Sequence, residues 1–257
     1  MAIRYIRSLT GRRRTPDANR QLGLALAFVA GAINAGGFLA VQQYTSHMTG
    51  IVSSMADNAV LGAYDLLLRG ASALLSFMAG AACSAIMVNY SRRRRLHSAF
   101  ALPLLFEAFL LLCFGFLGPR LAAVDGLIVS LTVMLLCFIM GLQNALITKV
   151  SKAEIRTTHV TGIITDIGIE LGKLFYWNGP TPPGQPRVLA NRGRLKLLTA
   201  LALSFFAGGV VGAYGFKHVG YSATVPLSLV LGVLAVVPAL DDVRRYVRRY
   251  VRRAGRG

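Results

Sequence analysis

Negative charge is scarce in this chain of 257 residues, with 10 Asp and Glu against 28 Lys and Arg and a formal net charge of +18. Charged residues of either sign make up 15%, where an ordinary soluble domain carries about 25%. With 54% apolar residues and a mean hydropathy of +0.56, a water-soluble globule is nearly excluded. Cysteine is also sparse: Cys83, Cys113 and Cys137 all fall inside apolar runs with no CxxC, which indicates neither a disulfide framework nor a zinc site. Nucleophile elbow, phosphate loop, paired metal-ligand helix and dinucleotide motif are all missing, which disfavours a soluble-type enzyme and assigns no catalytic residue, metal or cofactor. No lipidation signal occurs, and the first apolar run is too long for a signal-peptide core, so it is expected to remain as an uncleaved span.

What the chain does have is long apolar runs. A hydrocarbon core ~30 Å thick needs roughly 20 apolar residues per helix, and six stretches meet this: about 22–41, 71–90, 99–118, 124–147, 197–216 and 221–240. Two shorter helix-like segments, 47–63 and 159–176, carry Asp57 in the first and Asp166, Glu170 and Lys173 in the second. The expectation is an all-α membrane protein with six spans and two short segments that do not cross. The excess of basic residues lies in short clusters between these runs rather than on one polar domain, so basic loops are expected and a nucleic-acid partner is not.

Lys and Arg in short loops mark the cytoplasmic side. With six spans, the Arg-rich residues 1–21, the run Arg92-Arg93-Arg94-Arg95 and the Arg-rich segment 241–257 all fall inside, with both termini cytoplasmic. With eight spans, that run and the cluster Lys149, Lys152, Arg156 fall outside. Charge therefore favours six.

The chain also matches itself in order. Gly31-Ala32-Ile33-Asn34-Ala35 is answered by Gly141-Leu142-Gln143-Asn144-Ala145, and Ser46-His47-Met48-Thr49-Gly50 by Thr158-His159-Val160-Thr161-Gly162. Downstream, Leu75-Ser76-Phe77-Met78-Ala79-Gly80 is answered by Leu203-Ser204-Phe205-Phe206-Ala207-Gly208, and Ser98-Ala99 with Pro103-Leu104 by Ser222-Ala223 with Pro226-Leu227. Any one match is weak in an apolar alphabet; collinearity carries the inference. Residues 22–240 then form one membrane domain of two units, about 22–118 and 124–240. Three spans per unit give the second the opposite orientation, an inverted-topology repeat with one re-entrant helix in each unit.

The paired HxTG motifs, with Gly141-Leu142-Gln143-Asn144-Ala145, resemble those of the YoaK family of uncharacterised bacterial integral membrane proteins. The resemblance covers most of residues 22–240. It implies a multi-pass protein of the bacterial inner membrane and brings no substrate, reaction or catalytic residue with it.

Read physically, each HxTG stretch resembles a helix start: the hydroxyls supply capping oxygens, and Gly lets the backbone turn tightly. Free N–H groups at such a start favour anions. His47 and His159, with Thr49 and Thr161, either line a cavity there or serve as caps and cross-links. Glu107, mid-span, is either a protonatable group facing the bundle interior, with His47 or His159 as partner, or a neutral acid bonded to a neighbouring helix. Asn34 and Asn144 either bind a polar solute or join helices, and the small residues Ala27, Gly31, Ala35, Gly208 and Gly212 permit close helix contact. Asp57 and Asp166 stand at different distances from their histidines and are not equivalents.

After residue 240, Val-Arg-Arg-Tyr repeats place Val243, Tyr246, Val247, Tyr250 and Val251 on one helical face. Arg244, Arg245, Arg248, Arg249, Arg252 and Arg253 occupy the rest, which suits anionic lipid headgroups at the inner surface. The function expected is passage of a small solute or ion through a site at the repeat interface, lined by Asn34, His47, Thr49, Glu107, Asn144, His159 and Thr161. A membrane scaffold or regulatory protein and an intramembrane enzyme are the alternatives, and an oligomer is compatible with all three.

Overall fold

The computed structural model describes residues 16–94, 96, 100–122, 127–151, 157–179, 186–236 and 239–240. Among the described residues the regular elements are helices: α1 (Pro16–Val41), α2 (Met48–Val60), α3 (Tyr64–Arg93), α4 (Ala101–Ala122), α5 (Leu127–Val150), α6 (Val160–Phe175) and α7 (Arg192–Val219). A 3-10 turn at Gly220–Ala223 follows, then helical residues 224–236. The amphipathic tail 241–257, with Arg244, Arg245, Arg248, Arg249, Arg252 and Arg253, lies outside the described residues, as do residues 1–15.

Among the described residues, five helical runs are long and apolar enough to cross a membrane: Asp17–Val41, Tyr64–Arg93, Ala101–Arg120, Leu131–Val150 and Arg192–Val236. The last, at 45 residues, would be about 68 Å long if straight, more than twice the ~30 Å hydrocarbon core. It does not run straight. Gly220, at φ 62, caps α7 in the left-handed region where a side chain is strained. Beyond it the Thr224 hydroxyl donates to the Leu111 carbonyl of α4 at 3.0 Å. The run is therefore broken after α7, and its part beyond the 3-10 turn is helical over 224–236. The short segments expected at 47–63 and 159–176 are α2 and α6, of 13 and 16 residues. At about 20 and 24 Å both fall short of a bilayer.

Helix direction follows from side-chain contacts. α1 and α7 run parallel: the Ser204 hydroxyl donates to the Leu24 carbonyl at 2.8 Å, Gly208 lies on the Phe28 carbonyl, Gly212 on Ala32 and Gly36 on Phe216. α3 and α5 also run parallel, with Ser76 donating to the Met134 carbonyl at 2.6 Å, Gly80 on the Phe138 carbonyl, and Lys149 donating to Asn89 near their far ends. α1 and α5 cross antiparallel, because Gln143 donates to the Leu26 carbonyl at 3.3 Å while Gly37 abuts Leu136. It follows that α1 and α3 point in opposite directions with only α2 between them, and so do α5 and α7 with α6 between them.

These pairings recur at the positions that match in sequence. Ser204 on Leu24 corresponds to Ser76 on Met134, Gly208 on Phe28 to Gly80 on Phe138, and Gly31 on Phe205 to Gly141 on Phe77. The pattern of burial along 21–37 is repeated position by position along 131–147. Lipid supplies no hydrophobic drive between helices, so glycines that bring backbones together and hydroxyls that bond across the seam hold such pairs.

Candidate functional site

Past Val41 the backbone reverses at Gln42, φ 54, and returns along α1 until Ser46 lies beside Asn34. There the Ser46 N–H and hydroxyl both donate to Asn34 Oδ1, at 3.2 and 2.8 Å. This places His47, the N-cap of α2, about two turns inside the end of α1. From that point α2 runs back along α3, with Ile51 packed by Ala73 and Met55 against Gly70. The other half-helix is set the same way: the Thr158 hydroxyl donates to Asn144 Oδ1, and His159 is the N-cap of α6.

Two local expectations are corrected. The Ser46 and Thr158 hydroxyls do not cap, since they are engaged by Asn34 and Asn144, and the N-cap residues His47 and His159 make no side-chain capping bond either. Gly50 and Gly162 do not make tight turns, since both lie in the first helical turn, where a Cβ would strike the ring of His47 or His159. The glycines make room for the histidines. Thr49 and Thr161 sit exposed on the same first turns.

The expected lining residues fall in three places. Asn34, His47 and Thr49 form one group at the tip of α2, and Asn144, His159 and Thr161 form its counterpart at the tip of α6. Glu107 stands apart on α4, fully buried, with neither carboxyl oxygen hydrogen-bonded, so neither histidine partners it. Thr45 and Thr157, at matched positions just before the tips, are fully buried with hydroxyls that also lack a partner. Sequence reasoning passed over them, although the extra hydroxyl residue preceding each Ser/Thr-His pair was visible.

The two tips differ in charge. Counting from His47 and His159, Ser54 and Asn58 of α2 match Asp166 and Glu170 of α6. Asp166 pairs with Arg194 of α7 at 2.8 Å. Glu170, 2% exposed, accepts from Lys173 Nζ at 2.9 Å and from the Asn191 N–H at 2.7 Å. These two bonds hold its carboxyl below the usual carboxylate range. Among the described residues, no such clamp forms around α2. A cavity of about 470 Å³ opens there, lined by Phe38, Gln42, His47, Ser54, Asn58 and Arg69 among others.

Apolar helices of this length, with small-residue seams and large aliphatic side chains left on the outside, such as Leu75, Ile86, Phe109, Leu203 and Val210, are those of a multi-pass helical membrane protein. The sequence model of DUF1275, a protein family of unknown function that includes the YoaK-like proteins, matches residues 22–237, and the chain belongs to that family. No curated protein and no solved structure matches it.

Proposed function

We propose that this protein passes a small solute or ion across the bacterial inner membrane, using the tips of α2 and α6 as two half-sites of an inverted repeat. The observation that carries the reading is the antiparallel crossing of α1 and α5, combined with matched contacts in the α1–α7 and α3–α5 pairs. Two units related in this way, each with a short helix returning from a tip within the bundle, have the architecture of many secondary transporters. Irregular backbone at membrane depth is tolerated where protein or water surrounds it, and the cavity beside His47 meets that condition. The basic clusters orient the termini and Arg92–Arg94 to the cytoplasm, so the α2 cavity opens outward and the α6 clamp faces inward. The tail from residue 241 then lies on anionic lipid.

Two measurements test this. With Cys83, Cys113 and Cys137 replaced, a membrane-impermeant thiol reagent labels Tyr64→Cys in intact cells and leaves Ser98→Cys unlabelled; the reverse pattern would make α2 and α6 full spans and remove the inverted repeat. In proteoliposomes, osmotic swelling in isosmotic salts of small organic anions and cations is faster than in empty liposomes for at least one solute. His47→Ala and His159→Ala each slow it by about tenfold, the worth of one lost charged or polar contact. Swelling indistinguishable from empty liposomes throughout would end the transport reading.

A further inference from the structure

The two half-sites solve the same charge problem differently. At the α6 tip the chain supplies its own carboxylates: Asp166 reaches Arg194, and Glu170 reaches Lys173 and a backbone amide. At the α2 tip both carboxylate positions are neutral, Ser54 and Asn58, yet a cation is still present: Arg69 lines the cavity one turn along α3 from Leu66, the match of Arg194. Among the described residues Arg69 has no ion-pair partner. Asp65, four residues earlier on the same helix, borders an adjoining pocket with Arg69 but does not pair with it. The lining of the cavity contains no acidic side chain. Its volume of about 470 Å³ lies within the ~300–1,000 Å³ typical of small-molecule sites.

We infer that the α2 cavity binds a small organic carboxylate, whose charge takes at Arg69 the place that Asp166 and Glu170 fill at the other tip. The cavity wall suits the remainder of such a molecule. Phe38 and Tyr44 stack there with ring centroids 4.5 Å apart and form a flat apolar face, and Gln42 and Asn58 offer amide donors beside it. A guanidinium meets a carboxylate with two parallel hydrogen bonds, and the attraction grows where lipid and protein lower the local dielectric.

The inference names a substrate class for the transport reading and rests on it, but binding is measured without transport. Benzoate is the probe, with its neutral isostere benzamide as control, in equilibrium binding to the full chain purified in detergent. Saturable benzoate binding is expected, with benzamide at least about tenfold weaker, as loss of a charge-assisted bond implies. Arg69→Gln weakens benzoate to the benzamide level, and Arg69→Lys retains most of it. Asn58→Glu, which installs the carboxylate of the other tip, abolishes binding while leaving Arg69 in place. Both positions line the open cavity, and unchanged elution and melting verify the fold. No saturable binding up to about 10 mM, a free energy near the weakest specific range, overturns the site; so does equal binding by wild type and Arg69→Gln, or by wild type and Asn58→Glu. Benzoate binding that depends on Arg69 in a protein that gives no swelling would keep the carboxylate site and discard transport.

Discussion

Gly208→Ala is expected to cost about 3 kcal/mol, the upper end for overpacking a well-filled contact, because the added methyl overlaps the Phe28 carbonyl rather than a side chain. A side chain can change rotamer, but a carbonyl within a helix cannot move without carrying the helix. α1 and α7 would have to separate along their whole seam, losing the Ser204 bond to Leu24 and the contacts of Gly212 and Gly36 with it. Gly80→Ala is expected to cost as much, since Gly80 meets the Phe138 carbonyl in the same way. The control is Gly172→Ala on α6, where a Cβ meets open space and helix propensity alone gives a gain of up to about 1 kcal/mol. Thermal unfolding in detergent reads all three: Gly208→Ala and Gly80→Ala melt well below wild type and by similar amounts, and Gly172→Ala at or slightly above it. A Gly208→Ala protein that melts like wild type would remove the backbone contact from the account of this fold.

The same contacts explain what the sequence disclosed. The strings LSFMAG and LSFFAG agree in sequence where two helix seams each set a glycine against a carbonyl and a serine hydroxyl on another. Helix existence was legible from apolar runs, but limits were not. α3 begins at Tyr64 and ends at Arg93, well outside the expected 71–90, because backbone bonding continues through Asp65, Arg69 and Arg92 once the helix extends beyond an apolar layer. The role of the HxTG hydroxyls was hidden, since their partners Asn34 and Asn144 lie 12 and 14 residues away across a chain reversal. The difference between the tips was visible but obscured: comparing Asp57 with Asp166 set unlike positions side by side, whereas counting from each histidine pairs Asp166 with Ser54 and Glu170 with Asn58.

Glu170→Ala is expected to release the α6 end of the bundle. Asp166 and Arg194 are 39% and 53% exposed, and an exposed pair of that kind contributes ~0–1 kcal/mol, so Glu170 is the principal clamp. Its removal leaves the Lys173 ammonium and the Asn191 N–H without their acceptor. Asn191 is also the N-cap of α7, with its Oδ1 accepting from the Arg194 N–H at 3.0 Å, so the loosening extends into the start of that helix. Amide exchange across 160–175 and 191–194 should accelerate by about tenfold or more at neutral pH, with α2 unaffected. The Lys173 and Asn191 bonds lower the folded pKa of Glu170. Its stabilisation is therefore complete above the unfolded carboxyl value of ~4.3 and is lost as pH falls through the lower folded value. Wild type should accordingly exchange slowly from neutral pH down to that range and quicken only in stronger acid, whereas Glu170→Gln, which can still accept from Asn191 but carries no charge, should lie between the two proteins and lack the acid step. Unchanged exchange in Glu170→Ala would leave the asymmetry between the two tips without an energetic basis. An acid step confined to α6 would show that only one of the two half-helices is latched by the chain's own carboxylate, the other having neutral Asn58 at that position.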